Sequence, residues 1–325
     1  VSWMDAGVPG LFEFDEKDRL SASYLIFKDT LHKECFYNYD LCDNIIALGN
    51  DVDYVQYYQY DDLYRLISAK GEDTQHKSSY TLTMSYNNMT SPTMKLLEIN
   101  SSNSSYKQNY TYFYTGKQPN APSMIADKRY KYDNAGNPIS IESVSNEFDN
   151  RYMTWDAENR LRRLDTQSES HIYTYNHAGE RTLKRFASAE NLSINGAARG
   201  SLMSLSSEFT AYISPYFVAT DNSYTKHYFS EGTRIASKIG TAVYNATPSV
   251  DSSVTNIVSN AIDMQAGSTY SSSGEEEKDL YFFHTDHLGS TTYLTGREEV
   301  EQYIAYTPYG EPFVETRSVS PYKFN

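Results

Sequence analysis

Apolar and polar positions alternate with period two along much of the chain, and aromatic residues fill many of the apolar slots. Tyr58-x-Tyr60 and Leu66-x-Ser68 flank one polar centre, and Tyr173-x-Tyr175 and Leu183-x-Arg185 flank another. Such alternation predicts half-buried strands. The polar centres recur as an aromatic, Asp or Asn, three residues, then Arg or Asn with an aliphatic or proline after it. Phe14-Asp15 leads to Arg19-Leu20, Tyr39-Asp40 to Asn44-Ile45, and Tyr60-Asp61 to Arg65-Leu66. Tyr132-Asp133-Asn134-Ala135-Gly136 leads to Asn137-Pro138, and Trp155-Asp156 to Arg160-Leu161. Tyr175-Asn176-His177-Ala178-Gly179 continues into Glu180-Arg181. The Asp or Asn positions are 15, 40, 61, 133, 156 and 176, at intervals of 25, 21, 72, 23 and 20 residues. The long interval is read as units that have lost the motif, among them Tyr86-Asn87 and Tyr112-Phe113-Tyr114.

Each centre is turn chemistry. An Asp or Asn side chain bonds its own backbone two residues on, and Gly supplies a positive φ. Each unit is therefore expected to be a β-hairpin of roughly 20 residues. Consecutive hairpins pair edge to edge into a long antiparallel sheet, which must twist and curl. The expected fold class is all-β, with the repeat sheet over 1–186. An irregular insertion with strands follows over 187–279, and carboxy-terminal strands over 280–325. Within the insertion, Val250, Val254, Ile257, Val258, Ala261 and Ile262 form a helical stripe. That stripe predicts one short helix near 249–265, capped by Ser249 and ended by Gly267. The polar stretch 267–279 is expected to be an exposed loop.

Composition sharpens this picture. The 325 residues include 31 Tyr, 14 Phe and only 2 Trp, so the core must be built largely from tyrosine, whose hydroxyl needs a partner when buried. A formal charge of −14 argues against nucleic acid and against anionic lipid as partners. No run approaches the roughly 18 apolar residues of a membrane-spanning helix. Cys35 and Cys42 have no metal or redox spacing, and whether they pair is left open by the sequence. The chain opens Val1-Ser2-Trp3, with neither an initiator Met nor a signal-peptide pattern, and is expected to be an internal piece of a longer protein.

Near the carboxy-terminal end, His284, Asp286, His287 and Ser290 invite a catalytic or metal reading. In a strand, His284 and Asp286 share one face and His287 takes the other. A serine triad needs its base between nucleophile and acid, which this arrangement opposes. A metal would lack a third ligand from the segment. A turn at Asp286-His287-Leu288-Gly289 is the favoured reading. Gly136 and Gly179 sit in hairpin turns rather than in a phosphate loop. No catalytic, cofactor-binding or metal-binding residue is expected, and no cofactor.

The repeat series resembles the YD repeats of the Rhs family. The likeness rests on Tyr60-Asp61, Tyr132-Asp133 with Gly136, Trp155-Asp156, and Tyr175-Asn176 with Gly179. The segment His284-Thr-Asp286-His287-Leu-Gly289-Ser290, followed by Tyr306-x-Pro308-Tyr309-Gly310-Glu311, resembles the Rhs-repeat-associated core signature. The resemblance implies a structural role for these residues in a hollow β-shell that encloses a variable carboxy-terminal toxic domain. It implies secretion or a cell-surface location, and as partners the effector domain and the rest of the shell. The family's self-cleaving segment would lie beyond Asn325, so no catalytic role carries over. A second expectation is a cell-surface protein that presents exposed tyrosines to glycans. Tyrosines turned to an inner wall fit the shell, and a solvent-exposed ridge of three or more fits the glycan binder.

Overall fold

The computed structural model describes residues 10–241 and 279–319, except 29, 51, 103, 195, 196 and 231. The helix expected near 249–265, and nearly all of the polar loop expected at 267–279, lie outside the described residues.

Two compact units make up the chain: Val1–Ala126 with Phe282–Asn325, and Asp127–Tyr281. The described residues form 24 strands. Those of the amino-terminal stretch are β1 (Gly10–Phe14), β2 (Leu20–Phe27), β3 (Thr30–Tyr39), β4 (Ile45–Gly49), β5 (Tyr54–Tyr60), β6 (Leu66–Asp73), β7 (Ser78–Tyr86), β8 (Pro92–Asn100), β9 (Ser105–Phe113) and β10 (Met124–Ile125). Then come β11 (Lys128–Tyr132), β12 (Pro138–Ser143), β13 (Arg151–Trp155), β14 (Leu161–Asp165), β15 (Ser170–Tyr175), β16 (Arg181–Ile194), β17 (Ala197–Ser214), β18 (Phe217–Thr220), β19 (Ser223–Ser230) and β20 (Thr233–Thr241). The chain closes with β21 (Leu280–Thr285), β22 (Thr291–Thr295), β23 (Val300–Tyr306) and β24 (Pro312–Glu315). Within β1–β10, within β11–β20 and within β21–β24, strand neighbours in sequence pair antiparallel, as the alternation predicts. Among the described residues, one 3-10 turn at Glu147–Asp149 interrupts the strands, and no helix is long and apolar enough to cross a membrane.

Within the stretch expected to be an irregular insertion with strands, β16 and β17 pair with each other over a long register, and β18 follows. The β16–β17 register shifts between Arg185 and Ala187 and between Leu192 and Ser193. The unit at Tyr86-Asn87, read from sequence as having lost the motif, keeps the complete hairpin turn. Asn87 has the same acceptor geometry as aspartate, so only the Arg at the end of the motif is missing there.

In the first unit, cross-strand register sets Tyr58 opposite Ala69, Ala69 opposite Leu82, and Leu82 opposite Leu97. These side chains share one face. That face is covered by the carboxy-terminal strands, which bring Ala305, Phe313 and Val314 into one buried cluster with Ala69, Tyr80, Leu82, Met84 and Leu97. The Phe313 ring lies 4.9 Å from Tyr80 and stacks at 6.4 Å on Tyr54. Leu25 and Phe27 are covered by Tyr293 and Val300 in the same way. Full burial of a side chain such as Leu82 or Leu97 stabilises by about 1.5–3 kcal/mol. The two cysteines form no disulfide with each other: Cys35 is buried in β3, and Cys42 is exposed in the following turn.

The second unit has a thinner core of small residues, with Ala187, Ala211, Ala219 and Ala236 buried. Tyr173 is buried beside them, and Arg181 lies over the rings of Tyr173 and Tyr212 at 5.5 and 5.0 Å.

Candidate functional site: a turn ladder and the covered face

The hairpin turns share one geometry. With the turn's first residue at Asp15, Asp40, Asp61, Asn87, Asp133, Asp156, Asn176, Asp286 or Thr307, its amide donates to the carbonyl four residues on at 2.8–3.0 Å. The amide three residues on donates back to its carbonyl at 2.9–3.3 Å. In every turn except that at Thr307, the side-chain Oδ1 accepts the amide two residues on and the amide four residues on, at 2.8–3.0 Å. The fourth turn residue takes a positive φ: 57° at Asp18, 59° at Tyr64 and Asn159, 92° at Gly136 and 88° at Gly289 and Gly310. The Asp or Asn thus satisfies the backbone amides of a tight loop, the task the sequence assigns it.

The aromatic before most of the turns has a second task. A register shift falls at Tyr39, Tyr60, Tyr86, Tyr132, Trp155, Tyr175 and Tyr306, and such a bulge re-aims the side chain it carries. The ring then reaches back to the preceding hairpin. Tyr39 donates its hydroxyl to the Leu20 carbonyl, Tyr60 to Ile45, Tyr86 to Leu66, Tyr114 to Pro92, Tyr175 to Leu161 and Tyr306 to Thr291, at 2.8–2.9 Å. Trp155 Nε1 donates to the Pro138 carbonyl at 2.7 Å. Each acceptor is the first residue after the previous turn or its counterpart. The Arg that ends a turn lies over the next hairpin's aromatic: Arg19 over Tyr39 at 4.4 Å, Arg65 over Tyr86 at 4.9 Å and Arg160 over Tyr175 at 5.3 Å. In the hairpins so joined, the motif forms a ladder that ties a hairpin to its predecessor.

Side-chain hydrogen bonds, some of them ionic, reinforce the turns. Hydrogen bonds from the side chains of Arg19, Asn44, Arg65 and Asn137 hold the carboxyls of Asp15, Asp40, Asp61 and Asp133 below the ordinary carboxylate range. For Asp156 the leading cause is the Arg160 backbone amide.

The carboxy-terminal signature residues join this scheme. Asp286 Oδ1 accepts the amides of Leu288 and Ser290 at 2.9 Å. His284 Nε2 lies 2.9 Å from Thr295 Oγ1, and the His287 ring meets the edge of Tyr37 at 5.2 Å. His284, Asp286 and His287 thus engage three different partners and are not brought together around one point. Pro308 and Gly310 lie in the turn between β23 and β24. Among the described residues, no group of three or more His, Cys, Asp or Glu is placed to hold a metal ion.

Several polar residues of the covered face are not singled out by the sequence reading. Gln56 is buried; its Oε1 accepts the hydroxyls of Tyr80 and Tyr58 at 2.5 and 3.0 Å. Asp73 is buried, accepting the Tyr303 hydroxyl at 3.1 Å and the His76 amide at 2.8 Å. Lys95 is buried and ion-paired with Glu311, which also accepts the Thr307 hydroxyl at 2.5 Å. Period-two counting places Lys95 in line with Leu97 and Ile99 on the apolar face; that misfit was the available signal. Burial pushes the Glu311 carboxyl up, but hydrogen bonds from Lys95 and Thr307 outweigh it and hold it below the usual range. Burial raises the hydroxyls of Tyr37, Tyr54, Tyr58 and Tyr80, so they stay protonated as donors.

Two small cavities lie in this unit, each of about 80 Å³. One is lined by Asp73, His76 and Tyr303 among others, the second by Cys35, Tyr37 and His287 among others. Both are well below the roughly 300 Å³ at which small-molecule pockets begin. In the second unit, His227 Nδ1 and Ser237 Oγ approach to 2.7 Å across β19 and β20, but both residues are buried, and burial, then the charge of Arg234, pushes His227 down to about 4.

No protein-family model matches the sequence, and no curated protein matches it. Solved structures do match its fold. The crystal structure of TcdB2-TccC3-TEV is similar at 15% identity and TM-score 0.62. That of TcdB2-TccC3-Cdc42 is similar at 14% identity and TM-score 0.62. The Photorhabdus luminescens Tc holotoxin pore is similar at 15% identity and TM-score 0.62. Each match covers 95% of this chain, and this chain spans only 15% of the length of the chain it matches. At these identities the likeness shows the fold: an all-β sheet of consecutive antiparallel hairpins, shared with Tc toxin structures.

Proposed function

We propose that this chain is a structural segment of an Rhs-type, YD-repeat shell, which helps to enclose and deliver a carboxy-terminal effector and performs no catalysis of its own. The observation that carries the reading is the ladder. Asp or Asn closes nearly all of the turns and in most of them the preceding aromatic ties the turn to the hairpin before, so the repeat is spent on building wall. The fold likeness to Tc toxin structures supports the same reading. So does the direction of the tyrosines. Tyr37, Tyr54, Tyr58 and Tyr80 lie on the covered face of the first unit. Of its exposed tyrosines among the described residues, Tyr57 and Tyr106 lie on opposite faces, and Tyr64 and Tyr309 on turns, so these four form no ridge for a glycan. On this reading the protein is secreted or displayed at a cell surface, its partners are the remaining shell and the effector, and nucleic acid is not among them.

The test is electron microscopy and limited proteolysis of the natural full-length polypeptide that contains this chain. A hollow particle with a protease-protected internal polypeptide is expected. An open sheet with every segment cleaved at equal rates would overturn the proposal, and glycan-array binding lost in Tyr57→Ala would favour the adhesion reading instead.

A further inference from the structure

The carboxy-terminal strands β22–β24 cross a sheet more than 200 residues away in sequence, and the ion pairs that join them run in one direction. Carboxylates lie in the turns between the carboxy-terminal strands, and lysines on or beside the strands of the sheet. Glu311 meets Lys95 of β8, and Glu298 meets Lys28, next to β2, at 2.5 Å. The two pairs differ in burial. The Lys28 and Glu298 side chains are 48% and 87% exposed, so salt screens them. Those of Lys95 and Glu311 are 10% and 25% exposed. A buried charge tolerates its site only while paired.

We propose that β22–β24 form a strap latched by the Lys95–Glu311 pair, and that protonation of Glu311 releases the strap locally while the underlying sheet stays folded. The inference is independent of the shell reading, because it concerns contacts within one compact unit. The groups facing the latch are Lys95 from β8, Tyr86 from β7, Tyr112 from β9, and Thr307 and Tyr309 from the strap's own turn. Tyr86 and Tyr309 bond each other through their hydroxyls at 3.0 Å, and Lys95 also lies 5.2 Å from the Tyr309 ring centre. At the strap's other key, Tyr303 faces Asp73, His76, Tyr54 and Tyr293. Because the folded Glu311 titrates below its ordinary value, the latch is fully engaged above about pH 4.5. It is lost as pH falls through the folded value. The acid form leaves the Lys95 ammonium buried without its counter-charge.

Hydrogen–deuterium exchange on the whole chain tests this, corrected for intrinsic exchange, with β7 and β8 amides as the internal reference. Between pH 7 and pH 3.5, about one unit below the ordinary carboxyl value, amides of 300–315 are expected to lose up to about tenfold protection relative to the reference. Glu311→Gln is expected to show that loss already at pH 7 and to be flat with pH. Lys95→Met is expected to invert the dependence, because an unpaired Glu311 is loosest when charged and settles when protonated. Lys28→Met is expected to leave the acid effect in place. Strap and reference amides losing protection together, or a Lys95→Met protein with the wild-type pH slope, would overturn the latch.

Discussion

The ladder predicts a specific energetic role for a hydroxyl that contributes little to packing. Replacing Tyr60 or Tyr175 with Phe keeps the ring, its volume and, for Tyr175, the overlying Arg160, and deletes only the O–H. The lost bonds are those to the Ile45 carbonyl at 2.9 Å and the Leu161 carbonyl at 2.8 Å. A net hydrogen bond is worth about 0.5–1.5 kcal/mol, so each substitution is expected to destabilise its own unit by about 1 kcal/mol. For a unit of this size that lowers the melting temperature by about 2–4 °C. Calorimetry and urea titration of the single variants and of Tyr60→Phe/Tyr175→Phe measure it. The two sites lie in separate units and share no partner, so their effects are expected to add. Both variants melting within about 0.3 kcal/mol of the parent would show that the aromatic serves by its ring alone, and the ladder would fail as an account of the motif.

Three further outcomes follow from the same geometry. Gly179 has φ 82° and nothing within 4 Å of an added Cβ, so Gly179→Ala meets backbone strain without a clash and is expected to destabilise by about 1–2 kcal/mol, with Gly179→Asn less harmful, as measured by thermal melting. A thiol reagent is expected to label Cys42 in the native protein and Cys35 only after denaturation; rapid labelling of two thiols would refute the burial assigned to Cys35. The turn carboxyls of Asp15, Asp40, Asp61, Asp133 and Asp156 are depressed, so the stability they contribute is present above about pH 3.9 and lost as pH falls through the folded values, which acid unfolding curves of Asp-to-Asn variants check by a reduced slope.

The hairpins were legible because one local device repeats: alternation before, Asp or Asn at the corner, alternation after. Asn87 shows the limit of that signal. Its turn is complete, yet Ser91 replaces the Arg that made the other units conspicuous. Asp286 was legible as a turn residue for the same local reason. The latch was less so, because Lys95 and Glu311 are 216 residues apart and only the folded register brings them together. What the sequence did carry was an anomaly, a lysine in the inward phase of β8. The covering of that face by β24 is a long-range event that no local pattern encodes.

The ladder has a direction. Every tie runs from an aromatic donor backwards to a carbonyl in the hairpin before it. Stripping the later hairpin leaves a backbone acceptor in the earlier one without its donor. Stripping the earlier hairpin leaves only a side-chain donor, a tyrosine hydroxyl or the Trp155 indole N–H, which can turn towards water. The two ends of a laddered run are therefore not equivalent under load. Fraying that advances against the chain direction exposes a main-chain carbonyl at each step, while fraying that follows the chain frees a side-chain donor. A sheet built this way resists peeling differently from its two edges, much as a ratchet yields to one sense of motion more readily than to the other.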